Sequence, residues 1–191
     1  MKFIYSILGL SLLFLACEAK VDNTADEAFQ KNSETVMANL EGWQNENMDY
    51  SQYAADFVMS GTGYGTKDSI SLDDMKKMDE EFLAMYDFRI ASDSINLLPG
   101  VDPETKKMDG SVRHYIDWEV TLPATDSTEA RSGVIKLYKT IDFNDEGKII
   151  FQSTYGDFTG LMMHLHGNDD DGDDGDDGDD EDDEDDEDDD Y

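Results

Sequence analysis

The segment VRHYIDWEVTL, residues 112–122, gives the clearest indication of secondary structure in this 191-residue chain. Apolar side chains at the even positions alternate with mostly polar ones at the odd positions, and His114 shares the apolar face with Ile116 and Trp118. A period of two indicates a strand that buries one face and exposes the other. We therefore predict one long strand here, with His114 pointing into the core.

The same alternation continues towards the C-terminus. Ile135, Leu137, Ile141 and Phe143 again alternate with other residues along one predicted strand. The tetrapeptide NDEG at 144–147 is typical of a hairpin turn, and residues 148–157 then form the last predicted strand. A further strand is predicted over 88–98, before a loop at 99–103 that is marked by two prolines and a glycine.

Helical spacing of apolar residues dominates the first half of the chain. It predicts a helix over 25–46, a shorter one over 48–56, and a third that starts at the capping residue Ser71 and ends near Tyr86. A strand that begins at Phe57 separates the second helix from the third. Helices followed by an antiparallel sheet predict an α+β domain.

The N-terminus is typical of an exported protein. Lys2 precedes about 13 apolar residues that end before Cys17, whereas a membrane-spanning helix needs about 20, so the run fits a signal peptide. The segment FLAC, residues 14–17, resembles the bacterial lipobox. This resemblance implies cleavage of a signal peptide over 1–16 and lipidation of Cys17, with acyl chains such as palmitate. Several acyl chains anchor a protein stably, which implies an envelope lipoprotein of the outer membrane or cell surface.

Cys17 is the only cysteine in the sequence. An internal disulfide is therefore excluded, and the fold must be held by packing. If lipid occupies Cys17, no thiol remains for catalysis or for metal binding. We expect no cofactor and no metal site.

Most of the formal net charge of −33 lies at the C-terminus, where residues 169–190 hold 19 acidic residues and three glycines. Such a run repels itself and cannot bury apolar surface, so we expect a disordered tail over 167–191. Nucleic acid is an unfavourable partner for so acidic a chain. The carboxylates suit weak binding of divalent cations. These boundaries leave a tether at 17–25 and one domain at 26–166.

Three short segments of this domain carry a second resemblance: YAADF at 53–57, FNDEGKI at 143–149 and YGD at 155–157. With the order of helices and strands, they make the domain similar to the SnoaL-like, nuclear-transport-factor-2-like superfamily. The resemblance implies N-terminal helices packed on a curved antiparallel sheet, in the shape of a cone. It also implies an internal pocket and, in many members, a homodimer packed through the sheet. The pocket residues that it implies are Tyr53, Ile116 and Trp118.

This superfamily includes ketosteroid isomerase, polyketide cyclases, epoxide hydrolases and dehydratases, alongside members without known activity. In the isomerase, a catalytic aspartate follows five residues after the acid that corresponds to Asp56, and that position is Gly61 here. This departure argues against steroid isomerisation.

Asp157 is the stronger candidate for acid–base chemistry. By resemblance, an acid near this point of the last strand faces the pocket, with Tyr155 on the same face, and His114 could complete an acid–base pair. The alternative interpretations are a capping aspartate before Thr159 and a structural core histidine held by hydrogen bonds.

These observations favour a lipid-anchored envelope protein whose SnoaL-like domain binds a small apolar ligand or a partner, without catalysis. The first alternative is an isomerase, cyclase or hydrolase that uses Asp157 with His114 or Tyr155. The second alternative assigns the function to the acidic tail, as a surface brush that binds divalent cations.

Overall fold

The computed structural model describes residues 24–167, and the predicted signal peptide, Cys17 and the acidic tail from 168 onwards lie outside the described residues. Within the described range, three helices pack on a curved, open sheet of seven strands. This confirms the predicted α+β class. No helix within 24–167 has the length and apolar character needed to span a membrane.

The helices are α1 (Thr24–Gln44), α2 (Leu72–Met85) and α3 (Phe158–His166). The strands are β1 (Tyr53–Ser60), β2 (Ile70–Ser71), β3 (Asp87–Ile90), β4 (Asn96–Val101), β5 (Met108–Leu122), β6 (Arg131–Phe143) and β7 (Ile149–Tyr155). The strand order is β2-β1-β7-β6-β5-β3, and β4 also pairs with β5. The pairs are antiparallel except for β1 with β7, which run parallel.

The long pairing of β5 with β6 organises the sheet. It runs without interruption from Val112 opposite Ile141 to Leu122 opposite Arg131. The predicted inward face of β5 is confirmed, because its members are buried: Val112, His114, Ile116, Trp118 and Val120. Directly opposite residues share one face of a sheet, so β6 contributes the residues opposite them to the same core.

The helices cover the inward face of the sheet. α1 lies across β5 and buries Val36 and Leu40, while α2 lies over β1 and α3 packs against β6. The predicted cap of α2 is confirmed, since the Ser71 hydroxyl accepts a hydrogen bond from the Asp74 N–H at 3.2 Å. The predicted hairpin turn before β7 is also confirmed, with Gly147 in the left-handed region at φ 77°.

The predicted helix over 48–56 is wrong. One turn of 3-10 helix, Tyr50–Gln52, leads directly into β1, which pairs with β7. The register of this pair is irregular, and Tyr53, Ala54 and Phe57 are all buried. Buried positions at i, i+1 and i+4 imitate a helical pattern, whereas pairing with a distant strand fixes the extended conformation.

The predicted strand over 88–98 is two strands instead. β3 and β4 follow one another along the same edge of β5, with a break between Ile90 and Asn96. The predicted loop at 99–103 starts late, since Pro99 still belongs to β4 and pairs with Val112. A proline has no N–H to donate, which an edge strand tolerates on its unpaired side.

Candidate functional site

Asp157 lies at the start of α3. Its side chain caps the helix by accepting a hydrogen bond from the Gly160 N–H at 2.9 Å, and the residue is exposed. It borders an open cleft of about 420 Å³ between α3 and β6, whose lining includes Lys136 and His164. Asp157 is therefore a capping residue in the structure, which is the second of the two interpretations given for it.

Tyr155 lies on the outer face of the sheet. It stands opposite Tyr138, which stands opposite Tyr115, and the ring centroids of successive tyrosines are 6.1 and 4.9 Å apart. Tyr155 is 52% exposed, whereas His114 belongs to the inward face. The structure therefore does not bring Asp157, Tyr155 and His114 into one site, because the three lie on a rim, on the outer face and in the interior.

His114 is buried in the middle of β5, between Leu97 of β4 and Lys139 of β6. Only 1% of its surface is exposed, and neither ring nitrogen has a hydrogen-bond partner within the described part of the chain. Burial lowers the pKa of His114 to about 3, with a smaller contribution from the positive charge of Lys139. The ring is therefore neutral near pH 7 and keeps one donor and one acceptor unpaired.

The three predicted pocket residues belong to the same apolar core. Ile116 is 1% exposed, and Trp118 packs edge-to-face against Phe88 with centroids 6.2 Å apart. The Tyr53 hydroxyl accepts a hydrogen bond from the Asn39 side chain at 2.8 Å. All three side chains are buried and packed among other side chains, and their assignment to a pocket stays a prediction.

Asp79 is the functional candidate that sequence reasoning missed. It lies on the inward face of α2, four residues after the buried Met75, and is itself 8% exposed. The Tyr50 hydroxyl donates a hydrogen bond to the Asp79 Oδ2 at 3.1 Å. Burial raises the pKa of Asp79 from 3.8 to about 6, although the charge of Lys139 and the Tyr50 hydrogen bond both oppose the rise. The sequence held one indication of this position, since Asp79 follows the apolar Met75 by four residues and residues four apart lie on the same face of a helix.

Lys139 enters the interior from β6, directly opposite His114. The residue is half-buried, and within residues 24–167 its amine makes no hydrogen bond and no ion pair within 4.0 Å. Burial lowers the pKa of Lys139 to about 8, while the negative charge of Asp79 partly counteracts the decrease. Asp79 and Lys139 therefore attract each other across the interior without direct contact.

Gln152 of β7 completes the arrangement. Its amide nitrogen donates to the Met75 sulfur at 3.0 Å, and its amide oxygen has no partner among the described residues. We call this set of residues the interior polar cluster: Tyr50, Asp79, His114, Lys139 and Gln152. Since it draws one residue each from a turn, a helix and three strands, only the folded domain assembles it.

The interior polar cluster suits a neutral molecule. Between about pH 6 and pH 8 it carries one carboxylate and one ammonium, so a charged guest would leave an uncompensated charge in a medium of low polarity. His114 and Gln152 offer unpaired hydrogen-bonding atoms for an oxygen of the guest. No group of three metal-ligating side chains occurs within residues 24–167.

The raised pKa of Asp79 makes a prediction about stability. Because the folded state holds the Asp79 proton more tightly than the unfolded state does, the contribution of Asp79 to the free energy of unfolding should fall as the pH rises from about 4 to about 6. The interval from 3.8 to about 6, at about 1.4 kcal/mol per pH unit, corresponds to a loss of up to about 3 kcal/mol. Asp79→Asn should lack this loss.

Urea unfolding of both proteins at pH 4, 5, 6 and 7 measures the difference. The free energy of unfolding of Asp79→Asn should rise relative to that of the wild type across this range, and the difference should level off above pH 6. Parallel curves for the two proteins would show that Asp79 titrates alike in the folded and unfolded states.

No family model matches the sequence, and no curated protein matches it. Solved structures do match its fold. A candidate polyketide cyclase from Xanthomonas campestris pv. campestris has a TM-score of 0.55 at 14% identity, and the match covers 72% of this chain and 98% of that chain. IdmH, a candidate polyketide cyclase from Streptomyces antibioticus, has a TM-score of 0.54 at 13% identity, over 71% and 98%. A candidate SnoaL-like polyketide cyclase from Shewanella denitrificans OS-217 has a TM-score of 0.50 at 13% identity, over 71% and 97%. The domain therefore has the cone-shaped SnoaL-like fold.

Proposed function

We propose that this protein is a lipid-anchored protein of the bacterial cell envelope whose SnoaL-like domain binds a small, mainly apolar molecule at the interior polar cluster. One observation carries the proposal. His114 is 1% exposed inside an apolar core, and both of its ring nitrogens lack a hydrogen-bond partner among the described residues.

The energetic cost of this arrangement supports a binding role. A buried polar group without a partner costs about 1–3 kcal/mol of stability, and an apolar side chain of similar size would avoid that cost. Residues that lower stability are characteristic of sites that serve binding or catalysis. A guest with a hydroxyl or carbonyl oxygen would supply the missing hydrogen bond.

The surrounding side chains are able to rearrange around a guest. The Gln152 amide contacts the sulfur atoms of Met75 and Met59, at 3.0 and 3.4 Å. Methionine is unbranched and adapts to changes of shape better than other apolar residues. We therefore expect guest binding to displace these methionines rather than the strands.

A pair of probes that differ by one hydroxyl tests this proposal. We expect the full chain to bind 1-naphthol more tightly than naphthalene by about fivefold, since one hydrogen bond contributes about 1 kcal/mol. His114→Phe should lose this preference and should be more stable than the wild type, because the unpaired ring nitrogens are gone. Titration calorimetry measures both affinities, and urea unfolding measures the stability.

Tyr115→Phe is the matched control. Tyr115 follows His114 in β5, but its side chain lies on the opposite, outer face of the sheet. This control should keep the preference for 1-naphthol. An equal preference in the wild type and in His114→Phe would contradict the proposed site.

The proposed localisation at the membrane depends on Cys17. Only six residues separate Cys17 from Thr24, where α1 begins, and the seven residue steps between them span at most about 25 Å. Lipid on Cys17 would therefore hold the domain close to the membrane surface. Mass spectrometry of the mature N-terminus should find an acylated Cys17, and Cys17→Ser should carry no acyl chain and should keep residues 1–16 uncleaved. A free thiol at Cys17 in the purified protein would refute the anchor.

Acid–base catalysis is the second candidate function, and Asp79 favours it. An aspartate with a pKa of about 6 can accept and return a proton near neutral pH, and Tyr50 orients its carboxylate. The candidate cyclases among the structural neighbours also support this alternative. Asp79 then takes the role that the sequence assigned to Asp157.

Exchange of α-hydrogens in heavy water tests the second candidate with 1-tetralone, a neutral bicyclic ketone. We expect the wild type to accelerate deuterium uptake above the buffer rate, and Asp79→Asn to reduce this acceleration by about 100-fold or more, as for loss of a general base. Asp157→Asn is the control and should keep the wild-type rate. Uptake at the buffer rate in the wild type, or loss in Asp157→Asn alone, would reject the role of Asp79.

A further inference from the structure

We propose that the amine of Lys139 condenses reversibly with the carbonyl carbon of a small, neutral, apolar aldehyde, so that an imine forms inside the domain. This inference rests on the proposed function, because the aldehyde must enter the same interior. It adds a covalent step and a chemical class of ligand to that function.

The environment of the Lys139 amine differs from that of lysines whose amines form ion pairs or hydrogen bonds. Lys76 and Lys77 form ion pairs on the surface of α2, and the Lys148 amine donates to the Ser51 carbonyl oxygen at 2.6 Å. Lys139 is half-buried beside His114 and has no ion pair or hydrogen bond within residues 24–167. An amine without a partner is available to attack a carbonyl carbon.

The protonation state of Lys139 favours this reaction. With a pKa of about 8, about half of the amine is unprotonated at pH 8, whereas an ordinary lysine with a pKa of about 10.4 is less than about 1% unprotonated. Only the unprotonated amine is a nucleophile, and a lysine of lowered pKa is a known way to activate one.

Groups from each surrounding element set the local charge. The negative charge of Asp79, on α2, acts on Lys139, and His114 lies opposite Lys139 on β5. Tyr50, in the turn before β1, donates a hydrogen bond to Asp79. On β7, the uncharged Thr154 lies opposite Lys139. The single carboxylate and the single amine are the groups that titrate between about pH 6 and pH 8. A neutral carbonyl compound keeps this balance, whereas a charged one disturbs it.

The condensation balances with groups that the interior polar cluster supplies. The Lys139 nitrogen forms a bond to the carbonyl carbon, the carbonyl π electrons move to oxygen, and a proton passes from nitrogen to that oxygen. Asp79 is the carboxylic acid at this stage, because its carboxylate has taken the proton that the Lys139 ammonium gives up to become the free amine. It protonates the hydroxyl, which leaves as water while the nitrogen lone pair forms the second C–N bond. The iminium N–H returns its proton to the Asp79 carboxylate, so amine and aldehyde give imine and water.

Reductive trapping with hexanal tests the inference. The full chain is incubated with hexanal and sodium cyanoborohydride at pH 8, and peptide mapping locates the N-hexyl groups. We expect Lys139 to be labelled about tenfold faster than Lys136, its exposed neighbour on the outer face of β6, because burial lowers the pKa of the Lys139 amine to about 8 and so activates it as a nucleophile. The labelling rate of Lys139 should reach half its maximum near pH 8.

Four variants identify the reacting groups. Lys139→Arg and Lys139→Met should lose this label, and near-ultraviolet circular dichroism checks that at least one of them keeps the native core. Lys136→Arg should keep the label on Lys139. Asp79→Asn should slow imine formation at pH 7 by about tenfold, as expected for loss of a general acid.

Binding of 1-naphthol separates the two proposals. If 1-naphthol binds as expected but Lys139 is labelled no faster than Lys136, the imine is rejected and the binding site stands. If neither occurs, both proposals fail. Rapid labelling with half its maximum near pH 8, lost in the Lys139 variants, supports the imine.

Discussion

The uninterrupted pairing of β5 with β6 is the constraint on which the rest of the domain depends. Eleven residue pairs in register set every side chain of the two strands on one face or the other. A shift of β6 by a single residue would expose Ile135 and Ile141 and would send Tyr138 inward. The same register places His114 opposite Lys139, so the apolar core and the polar groups within it share one cause.

Those polar groups lower the stability of the domain because they are buried without full pairing. Asp79 and Lys139 have opposite charges but no direct contact, and His114 is buried without a partner. Replacing such groups by apolar side chains of similar size commonly stabilises a protein, and the proposed role of the interior polar cluster in binding rests on this cost. The outer face, with its row of exposed tyrosines, carries no comparable cost.

Local patterns predicted those elements whose residues face a single, regular environment. Alternation of apolar and polar residues identified β5 and β6, and a serine three residues before an acid identified the start of α2. The pattern failed at β1, where an irregular register buries Tyr53, Ala54 and Phe57 and imitates a helix. It also failed at Pro99, because only the arrangement of strands shows that β4 lies on an edge.

Local sequence patterns are enough to predict the α+β class, the long strand with His114 on its inward face, and the concentration of negative charge beyond the domain. These features depend on periodicity and composition, which are local properties. Only the tertiary structure decided that Asp79, and not Asp157, joins His114 and Lys139. The physical reason is that a carboxylate changes its pKa through burial and through charges brought near it, and both depend on contacts between segments far apart in the chain.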